Sequence, residues 1–489
     1  MMRLGSRLLL AGVVVGLGAA AWWTFWPRRE NVILITIDTM RPDRISAYGY
    51  QKHQTPNLDR LAKEGTLFEN AFCDVTWTTQ SMASVMTGMY ATRHGLRSSF
   101  QTLKPEAETL AEIVRDQGWD TAAIIASYPL HSLFGLNQGF KLYDENFTTA
   151  LTLDERVEFG PQPAFEGMEV PASDDAEAMR WFLMLKSQRE AYRPDDQVSD
   201  RAIAWLRNAH KDPFFLWIHY FGPHEKPTGL VGLGHAAEER QIQLAAYDPD
   251  VVTVDREIGR VLDALDDLWL TRNTVVIVHA DHGQSLMEHD YFGHGQHVFD
   301  ATAHIPLIVR APGLVQLGKR DARLARNVDI LPTVLGLLGV PNPIAGDGTN
   351  LFMADPKPDA AAYIETYLSA TRLFADVIDP ATDARLGFRR MAMRTSRWKL
   401  VINDPIPLID EPDGPVPDDL RRLYYKAELY DLTTDPEETI DRILEQPALA
   451  EELRLAIWRE QATEPTGSDD MPMNSTTRER LKALGYLAP

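Results

Sequence analysis

Short apolar segments rich in β-branched residues alternate with amphipathic stretches along most of the chain. The first of them, residues 31–37 with the sequence NVILITI, predicts a strand that is buried on both faces. Similar strands are predicted at 121–126, 213–219 and 274–278. Helices are predicted from Thr55-Pro56 onward and at 109–117, 200–208, 255–268 and 329–338. This alternation predicts an α/β fold in layers, built on a parallel or mixed sheet.

Two regions depart from this pattern. Residues 144–196 are acidic, irregular and rich in proline, so we expect them to form a long surface insertion. Towards the C-terminus, 389–403 predicts paired strands and 475–484 a last helix, which suits a small C-terminal subdomain. The predicted organisation is an N-terminal segment over 1–29, a main domain over 30–375 and a subdomain over 376–489.

The N-terminal segment contains an uncharged apolar run of 19 residues from Leu8 to Trp26. As a helix this run would be ~28 Å long at about 1.5 Å per residue, close to the ~30 Å hydrocarbon core of a bilayer. Tryptophan and phenylalanine crowd its far end, as in the aromatic belt of a membrane helix. We expect a membrane anchor, and the alternative is a cleaved signal peptide. Either one exports the remainder of the chain to a periplasmic or extracellular location.

Composition narrows the classes of partner. The 489 residues carry a formal net charge of -21, which argues against a nucleic-acid partner because no basic surface offsets it. Cys73 is the only cysteine, so no intrachain disulfide can form, and we expect it to be a small buried apolar side chain.

Polar residues that can bind a metal follow three of the predicted strands. They are Asp38, the segment His219–His224, and Asp281 with His282. Ligands of α/β proteins bind at the carboxyl ends of strands, so these residues could meet in space. Taken singly, each is more often a turn or capping residue, and their joint placement favours a site.

A fourth element is Thr78, which precedes a predicted helix that runs to Thr87 and stops at Gly88. A helix N-terminus offers free backbone N–H groups and a positive dipole end to an anionic ester. A hydroxyl group there can act as a nucleophile if a cation lowers its pKa. The alternative is that Thr78 only caps the helix.

These segments resemble the sulfatase family, within the alkaline phosphatase superfamily. Residues 35–43, with the sequence ITIDTMRPD, are similar to the opening motif of that family. Further similar motifs follow in the family's order over nearly the whole chain after residue 30: 55–59, 81–88, 134–140, 214–224, 281–283, 293–295, 305–307, 428–432 and 435–436. The resemblance implies a mixed central β-sheet between helical layers, with a small C-terminal subdomain.

The resemblance also implies roles for individual residues. Matching positions suggest Asp38, Thr78, Asp281 and His282 as ligands of one divalent metal, with Thr78 as the nucleophile. His224 and His294 would bind the transferred group or help to hold a second ion. Carboxylate, imidazole and alkoxide ligands suit zinc or manganese better than calcium. Lys226 could contact an anionic substrate, although an exposed lysine without a role is the more common case.

The departures from the family pattern concern the nucleophile. Sulfatases carry cysteine or serine there, followed by proline and arginine, and oxidise it to formylglycine. This chain has Thr78, Gln80 and Met82 at those positions. Oxidised threonine would be a ketone rather than an aldehyde, so we expect no formylglycine. Thr39 replaces the second acid of the family's Asp-Asp pair, which weakens an oxygen-rich calcium site.

Such a site is similar to those of the threonine-dependent phosphodiesterases and phosphoethanolamine or phosphoglycerol transferases of the superfamily. The sequence therefore predicts a metal-dependent hydrolase or transferase that acts on phosphoesters through a covalent phosphothreonine at Thr78. One alternative is a sulfuric ester hydrolase. Another is a catalytically inert binding protein of the cell envelope.

Overall fold

The computed structural model of the protein describes residues 29–98, 101–147, 192–208, 210–211, 213–225, 236–353, 361–367, 377–378, 385–406, 418–463 and 468–470. Its largest sheet has eight strands in the order β11-β2-β10-β7-β1-β6-β4-β5. In chain order these are β1 Asn31–Ile37, β2 Thr66–Phe72, β4 Asp120–Ile124, β5 Leu142–Asp144, β6 Phe214–Tyr220, β7 Thr274–Ala280, β10 His304–Arg310 and β11 Lys319–Arg326. Strand β10 runs antiparallel to both of its neighbours and the other pairs are parallel, so the sheet is mixed.

Helices pack on the faces of this sheet, and their apolar residues share one hydrophobic core with the strands. They are α1 Pro56–Glu64, α2 Thr78–Thr87, α3 Ala91–His94, α4 Leu110–Asp116, α5 Asp195–Asn208, α6 Ala236–Asp267, α7 Asp300–Ala303 and α8 Ile330–Leu338. The predicted α/β fold with a mixed central sheet between helical layers is confirmed.

The central strands align their carboxyl ends. Every residue of β1 is buried, as the NVILITI pattern predicts, and β1 pairs in parallel with β6 on one side and β7 on the other. In this register Ile37 lies beside both Tyr220 and Ala280. The residues that follow these three strands therefore emerge together at one edge of the sheet.

Two helices begin earlier than predicted. Helix α5 starts at Asp195 rather than at residue 200, and α6 starts at Ala236 rather than at 255. Helix α6 continues through Pro249, whose ring removes one helical hydrogen bond. Its packing against α5 and α1 outweighs that local cost, which a pattern of residues along the chain does not reveal.

A second sheet is antiparallel, with the strand order β12-β14-β15-β16, and β13 pairs with β14. The strands are β12 Ala362–Thr366, β13 Val377–Ile378, β14 Arg385–Arg394, β15 Trp398–Ile406 and β16 Lys426–Asp431. Helices α9 Asp418–Tyr424 and α10 Pro447–Gln461 accompany this sheet. Four short strands of the described residues form two-stranded pairs: β3 Gln101–Leu103 with β17 Ser468–Asp470, and β8 Ser285–Leu286 with β9 Phe292–Gly293. Strand β12 precedes residue 375 yet belongs to the second sheet, and the division of the chain at 375 stays a prediction.

Several predicted segments lie outside the described residues. They are the N-terminal segment up to residue 28, most of the 144–196 insertion and the 475–484 helix. Among the helices that are described, none is long and apolar enough to span a bilayer.

A buried lysine joins the second sheet to the main one. The Nζ atom of Lys399, on β15, lies 2.7 Å from Oδ1 of Asp300 and 2.8 Å from Oε1 of Glu438. Burial alone would raise the pKa of Asp300, but the charges of Lys399 and Arg394 lower it below its ordinary value. Since Asp300 begins α7, directly before β10, the lysine links the two sheets through charge.

We expect Lys399→Met to lower the free energy of unfolding by about 3–5 kcal/mol, because it leaves the buried carboxylate of Glu438 without its cation and leaves Asp300 with Arg394 alone. Lys426→Met is the matched control, since Lys426 is largely exposed and pairs with Glu428 at the surface. The control should cost less than about 1 kcal/mol. Urea denaturation of both variants measures the difference, and equal losses would contradict the proposed link.

Candidate active site

The carboxyl ends of β1 and β7 bring two carboxylates side by side. The backbone N–H of Asp38 donates to Tyr220 O at 3.0 Å, which fixes the residue at the end of β1. Asp281 follows β7, and its Oδ1 accepts from the backbone N–H groups of Thr39 at 3.1 Å and His282 at 2.8 Å. Both carboxylates are buried.

His282 lies between these carboxylates and Thr78. Its Nε2 atom is 3.4 Å from Oδ2 of Asp281 and 3.9 Å from Oδ1 of Asp38. The same nitrogen is 3.2 Å from Oγ1 of Thr78. One donor atom from each of Asp38, Asp281 and His282 lies within 4.8 Å of the others. The structure thus brings together the four residues that the sequence suggests as metal ligands.

The hydrogen bonding of this cluster fits a cation. Neither oxygen of Asp38, nor Oδ2 of Asp281, has a hydrogen-bond partner among the described residues. Burial first, and then the negative charge of Asp281, raises the pKa of Asp38 well above its ordinary value. Two buried carboxylates with open oxygens are costly without a positive charge between them. Asp38, Asp281, His282 and Thr78 therefore suit one divalent metal.

Thr78 is the first residue of α2 and not its cap. Trp77 occupies the cap position, and its side chain makes no capping hydrogen bond. The alternative that Thr78 merely caps this helix is therefore wrong. The helix is buried along its whole length and ends at Gly88, whose φ of 65° is left-handed. Ser81 Oγ donates to the backbone oxygen of Asp281 at 2.6 Å, which ties α2 to the end of β7.

A second group of donors adjoins the first. One donor atom from each of His224, Glu225 and His294 lies within 4.8 Å of the others. The rings of His282 and His294 stack with their centroids 4.6 Å apart, and those of His224 and His294 are 4.9 Å apart. His224 and His294, predicted to bind the transferred group or a second ion, thus lie directly beside the carboxylate cluster.

Both of these imidazoles are held neutral. Burial lowers the pKa of His224, and it lowers that of His294 well below the ordinary value. Nδ1 of His224 lies 2.8 Å from the backbone oxygen of Glu225, so Nδ1 carries the proton and Nε2 keeps its lone pair. Nε2 of His224 has no partner in the described part of the chain. Such a nitrogen suits a second cation better than it suits direct charge neutralisation of an anion.

Three residues around the site were not singled out from the sequence. Glu225 belongs to the second cluster, and its carboxylate accepts a hydrogen bond from Nε2 of Gln284. Oε1 of Gln284 lies 3.0 Å from Nδ1 of His294, so this amide orients both ligands. The sequence indicates His219 only as the start of a polar segment. In the structure His219 is buried, and its Nε2 lies 3.7 Å from Oδ2 of Asp38. Burial lowers the pKa of His219 to about 4. Their nearness in sequence to His224 and His282 is the signal that could have found them.

Two remaining predicted residues have simple outcomes. Lys226 lies outside the described residues. Cys73 is buried as a free thiol, and burial raises its pKa well above the ordinary value, which agrees with an inert apolar role.

Comparison with known proteins identifies the class to which this fold and site belong. Residues 30–340 match the family described as Sulfatase. That span is more than half of the chain, so the protein belongs to the sulfatase family, within the alkaline phosphatase superfamily. It is an enzyme of that family, a hydrolase.

Individual relatives include sulfatases and a multifunctional enzyme. An arylsulfatase of Clostridium perfringens is 26% identical over 376 residues, which cover 66% of this chain and 78% of the relative. The multifunctional alkaline phosphatase superfamily protein PehA of Trinickia caryophylli is 24% identical over 403 residues, covering 68% and 78%.

Solved structures share the fold. A phosphonate monoester hydrolase of Agrobacterium radiobacter aligns with a TM-score of 0.65 and 20% identity, covering 89% of this chain and 96% of that one. A protein in complex with its substrate D-glucosamine-2-N,6-O-disulfate aligns with a TM-score of 0.64 and 19% identity, covering 89% and 98%. These similarities support the predicted architecture.

We expect the purified protein to hold at least one transition metal, and Asp281→Asn or His282→Asn to remove it. Elemental analysis of the protein after loading with zinc or manganese measures the content. His304→Asn is a matched control, because His304 lies outside both donor clusters and its Nε2 bonds Glu69 O at 2.9 Å. Calcium alone, or full metal content in all three variants, would show that the site is assigned wrongly.

We also expect metal affinity to fall as the pH falls. The raised pKa of Asp38 means that the metal-free carboxyl keeps its proton to a higher pH than usual, and bound metal must displace that proton. Below the pKa of Asp38, each pH unit should therefore weaken apparent affinity by about tenfold. Manganese titrations between about pH 5 and about pH 8, together with proton release by calorimetry, measure this. An affinity that does not change over that range would contradict it.

Proposed function

We propose that the protein hydrolyses or transfers a phosphoester group through a covalent phosphothreonine at Thr78. The observation that carries the proposal is the position of the hydroxyl. Oγ1 of Thr78 lies 3.2 Å from Nε2 of His282, within the cluster of open carboxylate oxygens and at the N-terminus of α2. A hydroxyl in that setting is placed to be a nucleophile rather than a structural group.

The first half of the reaction makes the covalent ester. The Thr78 hydroxyl loses its proton to solvent, and Oγ1 attacks phosphorus. A new O–P bond forms while the bond to the leaving alcohol breaks, and the alcohol takes a proton from solvent. The positive dipole end at the start of α2 favours the negative oxygens of the transferred group.

The second half releases the product. Water, or the hydroxyl group of an acceptor molecule, attacks phosphorus, and the O–P bond to Thr78 breaks. The threonine oxygen regains a proton, so atoms and charges balance over the cycle. A divalent metal held by Asp38, Asp281, His282 and Thr78 would lower the pKa of the hydroxyl and offset the charge of the ester. Water as acceptor gives a hydrolase, and another alcohol gives a transferase.

The same residue disfavours sulfate chemistry. The formylglycine hydrate of sulfatases has a second hydroxyl, and it expels sulfate by collapsing to an aldehyde. Thr78 has one hydroxyl and a methyl group, so a sulfothreonine lacks that exit. Gln80 and Met82 stand where sulfatases have proline and arginine, and both are buried in α2.

A sulfuric ester hydrolase is the second candidate, because a specific observation favours it. Arylsulfatase and glycan sulfatases predominate among the relatives, including an N-acetylglucosamine-6-O-sulfatase of Bacteroides thetaiotaomicron at 22% identity. Phosphonate monoester hydrolases occur among the structural neighbours as well, so both chemistries are present in the group. An anionic ester is the expected substrate in either case.

Two further proposals concern the location and the partners of the enzyme. The apolar run Leu8 to Trp26 supports a membrane anchor and export of the remaining chain. The acidic net charge supports the proposal that nucleic acid is not a partner. An inert binding protein is disfavoured, because both donor clusters keep buried ligands with open electron pairs.

We expect Thr78→Ala to lower phosphoesterase activity by about 10³-fold or more, as loss of a covalent nucleophile does. Thr78→Ser should keep partial activity, because the hydroxyl survives. Rates on an aryl phosphate monoester, a phosphodiester and an aryl sulfate measure both the loss and the choice of substrate. The wild type should turn over the sulfate much more slowly than its best phosphoester.

Intact-mass measurement of enzyme quenched during turnover should show one added phosphoryl-type group on the peptide that carries Thr78. Thr79→Ala is the control, since Thr79 Oγ1 instead donates to Pro129 O at 2.7 Å. The proposal would be overturned if the wild type released sulfate efficiently from the aryl sulfate and the Thr78→Ala variant were equally active.

A further inference from the structure

The turn that follows β1 holds a threonine in an unusual backbone conformation. Thr39 has a φ of 54°, in the left-handed region that β-branched residues rarely adopt. It lies between the ligand candidate Asp38 and the buried Arg41. A strained conformation of this kind persists only where surrounding contacts enforce it.

One tyrosine supplies those contacts from a distant helix. The hydroxyl of Tyr247, on α6, donates to the backbone oxygen of Thr39 at 2.7 Å and accepts from the backbone N–H of Arg41 at 3.1 Å. Tyr247 is buried, and burial raises its pKa, so the hydroxyl keeps the proton that it donates. The single hydroxyl therefore bridges both sides of the turn.

The backbone turn at Thr39 also orients the carboxylate of Asp281. The N–H of Thr39 donates to Oδ1 of Asp281, and the N–H of His282 donates to the same oxygen. With Oδ1 occupied in this way, Oδ2 is left 3.4 Å from Nε2 of His282 and without a hydrogen bond among the described residues. Two backbone N–H groups thus fix the rotation of the Asp281 carboxylate, and one of them belongs to Thr39 in the strained turn.

We propose that Tyr247 is a positioning residue of the metal centre, which holds the backbone turn at Thr39 so that the Thr39 N–H stays on Oδ1 of Asp281 and Oδ2 faces the cation. The inference rests on the metal site proposed above. Mutation of a group that contacts a metal ligand commonly weakens metal affinity by about 10–100-fold. Here the group that contacts the ligand is the Thr39 N–H, and Tyr247, 206 positions after Arg41, acts on it through backbone hydrogen bonds to the turn.

The chain offers a matched control for the loss of a buried hydroxyl. Tyr48 is also bonded to backbone on both sides, since it accepts from Leu307 N–H at 2.8 Å and donates to Phe68 O at 3.1 Å. Leu307 lies in β10, which β7 separates from β1, and Phe68 lies in β2 beyond it, so the Tyr48 hydroxyl bonds no backbone of the turn after β1. Tyr48 is half-buried and its hydroxyl also lies 3.2 Å from Leu307 O. Tyr247→Phe and Tyr48→Phe each remove a hydroxyl that bonds backbone N–H and C=O groups, and only the first touches the turn.

Manganese affinity of the full chain, measured by competition with a chelating dye, tests the proposal. We expect Tyr247→Phe to raise the apparent Kd by about tenfold or more, and Tyr48→Phe to leave it within about twofold of wild type. Equal effects of the two variants, or a Tyr247→Phe Kd within about twofold of wild type, would overturn the role.

A second variant separates the turn from simple packing. Glycine adopts a positive φ without strain, so Thr39→Gly in the Tyr247→Phe background should recover most of the lost affinity. An unrecovered loss would mean that Tyr247 acts other than through the turn, and would overturn the proposal. A wild type that binds no manganese or zinc would refute the metal site itself, which distinguishes that failure from a failure of Tyr247.

Discussion

The structure depends on one electrostatic constraint, which is the burial of two carboxylates at the adjacent ends of β1 and β7. Asp38 and Asp281 are both inaccessible to solvent, and three of their four oxygens have no hydrogen-bond partner among the described residues. Burial, and then the negative charge of Asp281, raises the pKa of Asp38 well above its ordinary value. A bound cation resolves the conflict, and the imidazole of His282 and the hydroxyl of Thr78 are placed to share it.

The neighbouring structure holds these groups in place by contacts that leave their donor atoms open. Ser81 ties α2 to the backbone of Asp281, and the side chain of Asn327 donates to Ser81 Oγ at 3.1 Å and to Asp74 at 2.7 Å. On the opposite side, Arg41 donates to Gln284 O at 2.9 Å, and Gln284 in turn orients His294 and Glu225. Each support binds a backbone atom or the far side of a ligand, so rigidity is gained without occupying the centre.

Neutral histidines change the chemical picture of the second cluster. An imidazolium could have balanced the charge of an ester, but burial keeps His224 and His294 in the neutral form. As neutral groups they form, with the carboxylate of Glu225, a candidate set of cation ligands rather than a positively charged site. The family relationship gives the general class of hydrolase, whereas the proposed phosphoester chemistry depends on the threonine at position 78.

The sequence by itself determined the strands and the residues that follow them. β-Branched runs such as 31–37 and 274–278 are buried wherever they pair, so their pattern is enough to predict a layered α/β fold and a site at the strand ends. Only the tertiary structure decided which ligand atoms of the site lack a hydrogen-bond partner among the described residues and which are fixed by one. That information lies in contacts between distant residues, such as Tyr247 with Thr39 and Gln284 with Glu225, and no periodicity along the chain encodes them. The same holds for the neutral state of the histidines, because burial, and not residue type, sets their pKa values.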